Sequence, residues 1–238
     1  MSSTQQVTVE ASEPSGLLLK GRMPPKNSYE HISLGNWTHT ATSPILAWLL
    51  FSIPIVIWDF SFCLLRPLTF PGGSLAWPIW VPYEIYMQTD YMYDWKAFNE
   101  KNGFTSAQAF MNIPETLLYM LYLYIVYSQG TQLKATVGSA KSDWLAQRSI
   151  AGRAGALAAM VGFVAAIMTL SKTLLYVLNE AFSGWSNVGH NEWINLVFLW
   201  IIPNGAWIVA PVCMAFAFGN GILRAMSSAA GAPLIEGA

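Results

Sequence analysis

Residues Ile45 to Leu65 read ILAWLLFSIPIVIWDFSFCLL, an apolar run interrupted by Ser52, Pro54 and Asp59. A hydrocarbon core of about 30 Å needs about 20 mostly apolar residues in a helix, so this run is long enough to cross a bilayer. A carboxyl at membrane depth costs roughly 2.5 kcal/mol or more, and such groups usually face a bundle interior where they serve a function. A transmembrane helix with one inward carboxyl is therefore the first element of the fold.

Three further runs repeat that pattern, over 106–127, 155–178 and 192–218. The chain has 238 residues, 54% hydrophobic and only 11% charged, as expected for an all-α polytopic membrane bundle. The bundle occupies 43–224, between a flexible polar tail over 1–42, with a short ordered entry near Trp37 left open, and a flexible, small-residue-rich tail over 225–238. The first tail has no apolar core of the kind a signal peptide carries. Between the first two spans Trp77, Trp80, Tyr83, Tyr86, Tyr91, Tyr93 and Trp95 crowd together. Such aromatics favour the membrane interface, which predicts a partly helical lid at the surface; a fifth membrane element there stays open.

Net charge is −1, which argues against a nucleic-acid partner. Cys63 and Cys213 both fall in apolar spans and are expected as reduced core residues. His31, His39 and His190 show no metal-ligand spacing, and no glycine-rich phosphate loop is present. Neither a metal nor a cofactor is expected. Lys134, Lys141, Arg148 and Arg153 sit between the second and third spans, and Lys20, Arg22 and Lys26 in the N-terminal tail. The loop between the third and fourth spans has no Lys or Arg. By the positive-inside rule both termini are expected in the cytoplasm, leaving the Asn36-Trp37-Thr38 sequon unglycosylated.

The spans carry polar stripes at helical spacing. Gln108, Asn112, Glu115, Tyr119 and Tyr122 share one face of the second. Ser52 and Asp59 share a face of the first. The third offers Thr169, Lys172, Thr173, Tyr176 and Glu180, and the fourth Trp200, Asn204, Trp207 and Pro211. Turned inward, these faces make a polar-centred, aromatic-walled cavity. Pro54, Pro114, Pro203 and Pro211 would kink the helices and free backbone carbonyls. Plainer readings stand beside this one. Glu115 and Lys172 can simply form an ion pair that locks the bundle. Asn112 and Asn204 can be interhelical hydrogen-bond glue worth about 0.6 kcal/mol. Glu180 can be an interfacial charge, and His190 a solvated loop residue.

Several of these segments resemble the EXPERA family, which includes the emopamil-binding sterol isomerases and the sigma-two receptor. They are Glu115-Thr116, Leu175-Tyr176-Val177-Leu178-Asn179-Glu180 and Asn204-Gly205-Ala206-Trp207-Ile208-Val209. Ile53-Pro54-Ile55 leading to Asp59, and Trp95-Lys96 followed by Phe98, are weaker echoes. The resemblance spans about residues 45 to 220 and implies a helical bundle in the endoplasmic reticulum with a cavity for sterol-like or cationic amphiphilic ligands. It also implies proton-moving carboxylates at Asp59 and Glu115, with Asn204 and Trp207 against the reacting region. Two positions depart from the family. Ile55 stands where the isomerase branch has a histidine, and Lys172 is not a family lysine.

The residue types suit one chemistry. A double-bond shift needs an acid to protonate an alkene, a base to remove a neighbouring proton, and a site where a tertiary carbocation survives. A carboxyl taken out of water favours its neutral form and can serve as the acid. A second carboxylate stabilises the cation, and aromatic faces do so without trapping it. Asp59 and Glu115 are the candidate catalytic pair, in either order. Asn112, Tyr119, Lys172, Tyr176, Asn204 and Trp207 are the candidate substrate-binding residues. The expected function is isomerisation or cyclisation of a lipophilic sterol or terpenoid. The alternative is a non-catalytic membrane protein that binds sterols or amphiphilic amines. A proton-coupled transporter is disfavoured by four spans without an internal repeat, although a homodimer, which stays open, would relax that objection.

Overall fold

The computed structural model describes residues 37–133 and 143–230. The tail cations Lys20, Arg22 and Lys26, the sequon's Asn36, the loop cations Lys134 and Lys141, and His31 lie outside them. Among the described residues four helices are long and apolar enough to cross a membrane, and they form an all-α polytopic bundle. The first is α1 (Ser43–Leu64), with Pro44 in its first turn, where a missing N–H costs nothing. Two short helices follow, α2 (Tyr83–Thr89) and α3 (Trp95–Asn99), before the second span, α4 (Phe104–Gln129). The third span is α5 (Gly152–Phe182). The fourth is built from α6 (Trp193–Leu196), a π-helical turn (Val197–Ile201) and α7 (Ile202–Ala229).

Helix α1 packs on α4, α4 on α5, and α5 on α7. A small antiparallel sheet closes one end. Strand β1 (Thr38–Ala41) pairs with β3 (Arg148–Ala151), setting His39 opposite Ile150, and β2 (Thr131–Gln132) pairs with β3 from the other side. The sheet therefore gathers the start of α1, the end of α4 and the start of α5 at one end of the bundle. Gly152, at φ +62, makes the turn from β3 into α5, a conformation that side chains with a Cβ rarely adopt.

Two boundaries need correction. Residues 38–41 belong to the fold as β1, not to a flexible tail ending at 42, because their backbone pairs with β3. At the other end α7 continues through Ala229, past the expected limit at 224. Gly219, Asn220, Gly221 and Arg224 end the apolar run there without interrupting the helical hydrogen bonds.

The half of the bundle next to the sheet is close-packed. Ala158, Gly162 and Ala166 recur every fourth residue on α5, the small-residue spacing that lets membrane helices approach closely. A Cβ on Gly162 would lie 2.6 Å from the Phe218 ring of α7. Around this contact Leu46, Leu49, Tyr122, Val126, Ala165, Met214 and Phe218 are buried together. His39 reaches in from β1 to Tyr122, Nε2 to hydroxyl 3.1 Å, and burial pushes its imidazole down to about 4.

The aromatic stretch between α1 and α4 forms no fifth span, since α2 and α3 have only 7 and 5 residues. Nor is it merely a surface lid. Phe62, Phe70, Tyr83, Met87 and Tyr93 are buried in a second apolar core, with the Phe62 and Tyr83 rings stacked 3.9 Å apart. Arg66 fastens this cap by donating to Cys63 O, Met92 O and Ser106 Oγ at 3.0, 3.3 and 3.0 Å. The interface preference of Trp and Tyr describes the exposed Trp77 but not Tyr83 or Tyr93, whose rings fill the space over the helix ends. Cys63 is buried as expected, whereas Cys213 points outward from the bundle.

Candidate functional site

Beneath the aromatic cap the four spans diverge around a cavity of about 470 Å³, within the range of sites that take drug-sized ligands. Its wall is largely apolar and aromatic, and its polar groups come from each of the four spans.

Asp59 enters from α1, five residues after the internal Pro54. The Tyr83 hydroxyl donates to Asp59 Oδ1 at 2.8 Å. Trp58, Tyr83, Tyr86 and Tyr93 stand around it on the cavity wall, with Trp58 edge-on to Tyr83 at 4.8 Å. The polar stripe of α4 supplies Gln108, Asn112 and Glu115 from successive turns of one face. Glu115 is only 2% exposed, and its Oε2 faces the Lys172 ammonium of α5 at 3.0 Å. That oxygen has no other polar partner among the described residues. Lys172 also donates to Asn112 Oδ1, and Gln108 Nε2 donates to the Lys172 carbonyl at 3.0 Å. The ion pair that one plain reading anticipated does form, and it forms on the cavity wall.

The fourth span contributes Pro203, Asn204 and Trp207. A π-helical turn directly precedes them, and Pro203 cannot donate a backbone hydrogen bond, so the ladder there is altered. Asn204 Nδ2 donates to Trp200 O at 2.8 Å, which fixes the amide. Trp207 is held edge-on to Trp48 of α1, their ring centroids 5.1 Å apart.

Seven of the eight residues expected at the site therefore line one cavity: Asp59, Asn112, Glu115, Lys172, Tyr176, Asn204 and Trp207. Tyr119 does not. It lies one turn deeper on α4, in the close-packed half, where its hydroxyl bonds Thr169 Oγ1 at 2.9 Å. The helical stripe continues past the level at which the helices close up, and periodicity cannot show where that happens.

Two further buried carboxyls, one of them in the inward stripe expected for the third span, complete this framework. Asp90, at the end of α2, is wholly buried. Its Oδ2 accepts from the Tyr176 hydroxyl and from Trp200 Nε1 at 3.1 Å, and its Oδ1 from the Met92 N–H at 3.0 Å. It thereby ties the cap to the third and fourth spans, and it commits the hydroxyl of cavity-lining Tyr176. Burial raises the Asp90 carboxyl to about 6. The only sequence signal was an Asp inside an aromatic run, which reads equally well as a solvated turn. Glu180 is likewise buried rather than interfacial. It accepts from the backbone N–H and the side-chain amide of Asn187, both at 2.9 Å, and so shapes the loop after α5. His190 stacks on Tyr91 at 3.9 Å and bonds Gln88 O at 2.7 Å, a loop fastening outside the cavity.

No cluster of three metal-ligating side chains occurs among the described residues. Chemically, the cavity sets a carboxyl bonded to a phenol within an aromatic enclosure and a carboxylate paired with an ammonium on the wall of one apolar space. No family model, no curated protein and no solved structure matches the chain. Fold and site together define a polytopic helical membrane protein with an internal, acid-lined, aromatic cavity.

Proposed function

We propose that this protein is an acid–base enzyme of the EXPERA type that isomerises or cyclises a lipophilic sterol or terpenoid. The observation that carries the proposal is that carboxyls from two different spans, in two different electrostatic settings, line a single apolar cavity. Different settings are what allow two like groups to take opposite roles.

Asp59 is the proton donor. The Tyr83 hydroxyl donates to its Oδ1, and no cation bridges it among the described residues. Transfer of that proton to an alkene carbon leaves a tertiary cation on the neighbouring carbon. The faces of Tyr83, Tyr93 and Trp207 stabilise this cation without attacking it. Glu115, paired with Lys172, then accepts the proton lost from the adjacent carbon as the new double bond forms. Return of the proton to Asp59 resets the enzyme. Asn112 and Asn204, fixed by Lys172 and by the Trp200 carbonyl, border the reacting region.

We place the chain in the endoplasmic reticulum membrane with both termini cytoplasmic. The basic loop and the sheet that unites the ends of α1, α4 and α5 support that orientation. A second reading has one specific observation in its favour. Trp58, Tyr83 and Tyr86 around Asp59 make an aromatic enclosure suited to an ammonium group, as in a protein that binds amphiphilic amines or sterols without converting them.

The test is the sterol profile of a host that lacks its delta-eight to delta-seven sterol isomerase and expresses this chain. Restored delta-seven sterols, lost again with Asp59→Asn or Glu115→Gln, are the expected result for an isomerase. Unchanged sterols despite membrane expression would turn the search to cyclisation substrates. Tight amine binding with no conversion of any sterol or polyene would overturn catalysis in favour of the second reading.

A further inference from the structure

Lys172 is more than the counter-ion of Glu115. An ammonium has three N–H donors. One goes to Asn112 Oδ1 and one faces Glu115 Oε2 at 3.0 Å, so the third has no acceptor among the described residues. Its side chain keeps 16% of its surface and lies on the cavity wall. Asn112 shows the same imbalance. Its carbonyl oxygen is taken by Lys172, while its NH₂ group has no acceptor among the described residues and the residue borders the same space. Two donors without acceptors thus adjoin each other on the α4 and α5 side of the cavity. A hydrocarbon placed against them would leave both unsatisfied, at a cost the ligand must overcome.

We infer that Lys172, with Asn112 beside it, reads an uncharged oxygen on the ligand, so that the cavity takes an oxygenated lipophilic molecule bearing a carbonyl or hydroxyl rather than a plain hydrocarbon or an amine. The oxygen is uncharged because Glu115 already balances Lys172. An added carboxylate would face Glu115 across a low-dielectric wall, where like charges repel strongly. An amine brought to this wall would meet the ammonium instead. The oxygen anchors one end of the ligand on the α4 and α5 side, and its hydrocarbon body runs toward Asp59 and the aromatic enclosure. Lys172 is a specificity-determining residue here and takes no part in the proton transfers. This inference rests on the proposed reading only in that the cavity binds a lipophilic ligand.

The probes are androstane, androstanone and androstanol, one skeleton with no oxygen, a ketone or an alcohol, titrated against the full chain in detergent. The oxygenated probes are expected to bind about tenfold or more tightly than androstane, the scale of a hydrogen bond to a charged donor. Lys172→Met should erase that preference. Because this change strands Glu115, the double variant Lys172→Met with Glu115→Gln is measured alongside, and Glu115→Gln alone must keep the preference. A ketone bound more tightly than the alcohol assigns a carbonyl, and the reverse order a hydroxyl. Equal binding of all three probes to the wild type, or a preference that survives in the double variant, overturns the inference. Loss of turnover in Asp59→Asn with no oxygen preference would refute this inference alone. A Lys172-dependent preference in a chain that converts no lipid would refute catalysis alone.

Discussion

The two halves of this bundle use the same four helices in opposite ways. Next to the sheet, Ala158, Gly162 and Ala166 let α5 close on the Phe218 ring, and the interior is largely apolar and full. Toward the aromatic cap, proline at 54, 114 and 203 and a π-helical turn accompany helices that stand apart, and the interior holds Asp59, Glu115 and Lys172 around a cavity. Association of membrane helices relies on close packing rather than on expulsion of water, so a cavity must be compensated elsewhere in the same bundle. The sheet-side half supplies that packing, and the cap adds a second apolar core above the cavity. The ionisable side chains Asp59, Glu115 and Lys172 of the spans lie in the half where packing is relinquished.

Substitutions can break that contrast, beginning with function. Asp59→Asn and Glu115→Gln should each lower turnover by about 10²-fold or more while the helical circular dichroism spectrum is preserved. Lys172→Met should cost about 3–5 kcal/mol of stability because it leaves a buried carboxylate unpaired, and adding Glu115→Gln should recover most of it. Thermal melts in detergent read both effects. The packing difference is sharpened by two enlargements. Gly162→Ala, in the full half, should destabilise by about 1–3 kcal/mol as its methyl meets Phe218. Val56→Phe, on the cavity wall, should be neutral or stabilising by about 0.5–2 kcal/mol and should obstruct ligand binding.

The two regions outside the spans also carry a pair of opposed pH slopes. Asp90 is raised from 3.8 to about 6, so the folded chain holds its proton more tightly than the unfolded chain between those values. Its contribution to stability therefore falls as pH rises from about 4 to 6. His39 is lowered from 6.5 to about 4, so the unfolded chain binds the proton first, and its contribution falls as pH drops from 6.5 to 4. Melts across this window should show Asp90→Asn losing more stability on acidification than the wild type, and His39→Gln losing less.

The spans were legible because about 20 apolar residues have few alternatives to a membrane helix, and their ends moved by only a few residues except in α7. Most of the site was legible for a related reason. A polar side chain inside an apolar span has little choice but to face inward, and helical spacing groups such residues by face. Tyr119 shows the limit, since periodicity assigns a face but not the depth at which the cavity ends. Asp90 and Glu180 show another. They lie in a connecting segment and at a helix end, where polar residues are ordinary, and only tertiary contacts with Tyr176, Trp200 and Asn187 reveal their burial. The sheet was hidden for a similar reason. Its strands are 4, 2 and 4 residues long, too short for alternation to stand out.

The central claim is that Asp59 and Glu115 move protons to and from carbon. Its most direct test is to incubate membranes bearing the wild-type chain in deuterium oxide with the neutral lipid extract of the host. Products are then examined for deuterium that resists exchange. A sterol or terpenoid gaining one carbon-bound deuterium with the wild type, and none with Asp59→Asn or Glu115→Gln, is the predicted result. Converted lipid that carries no solvent deuterium, or equal labelling by the variants, would contradict it.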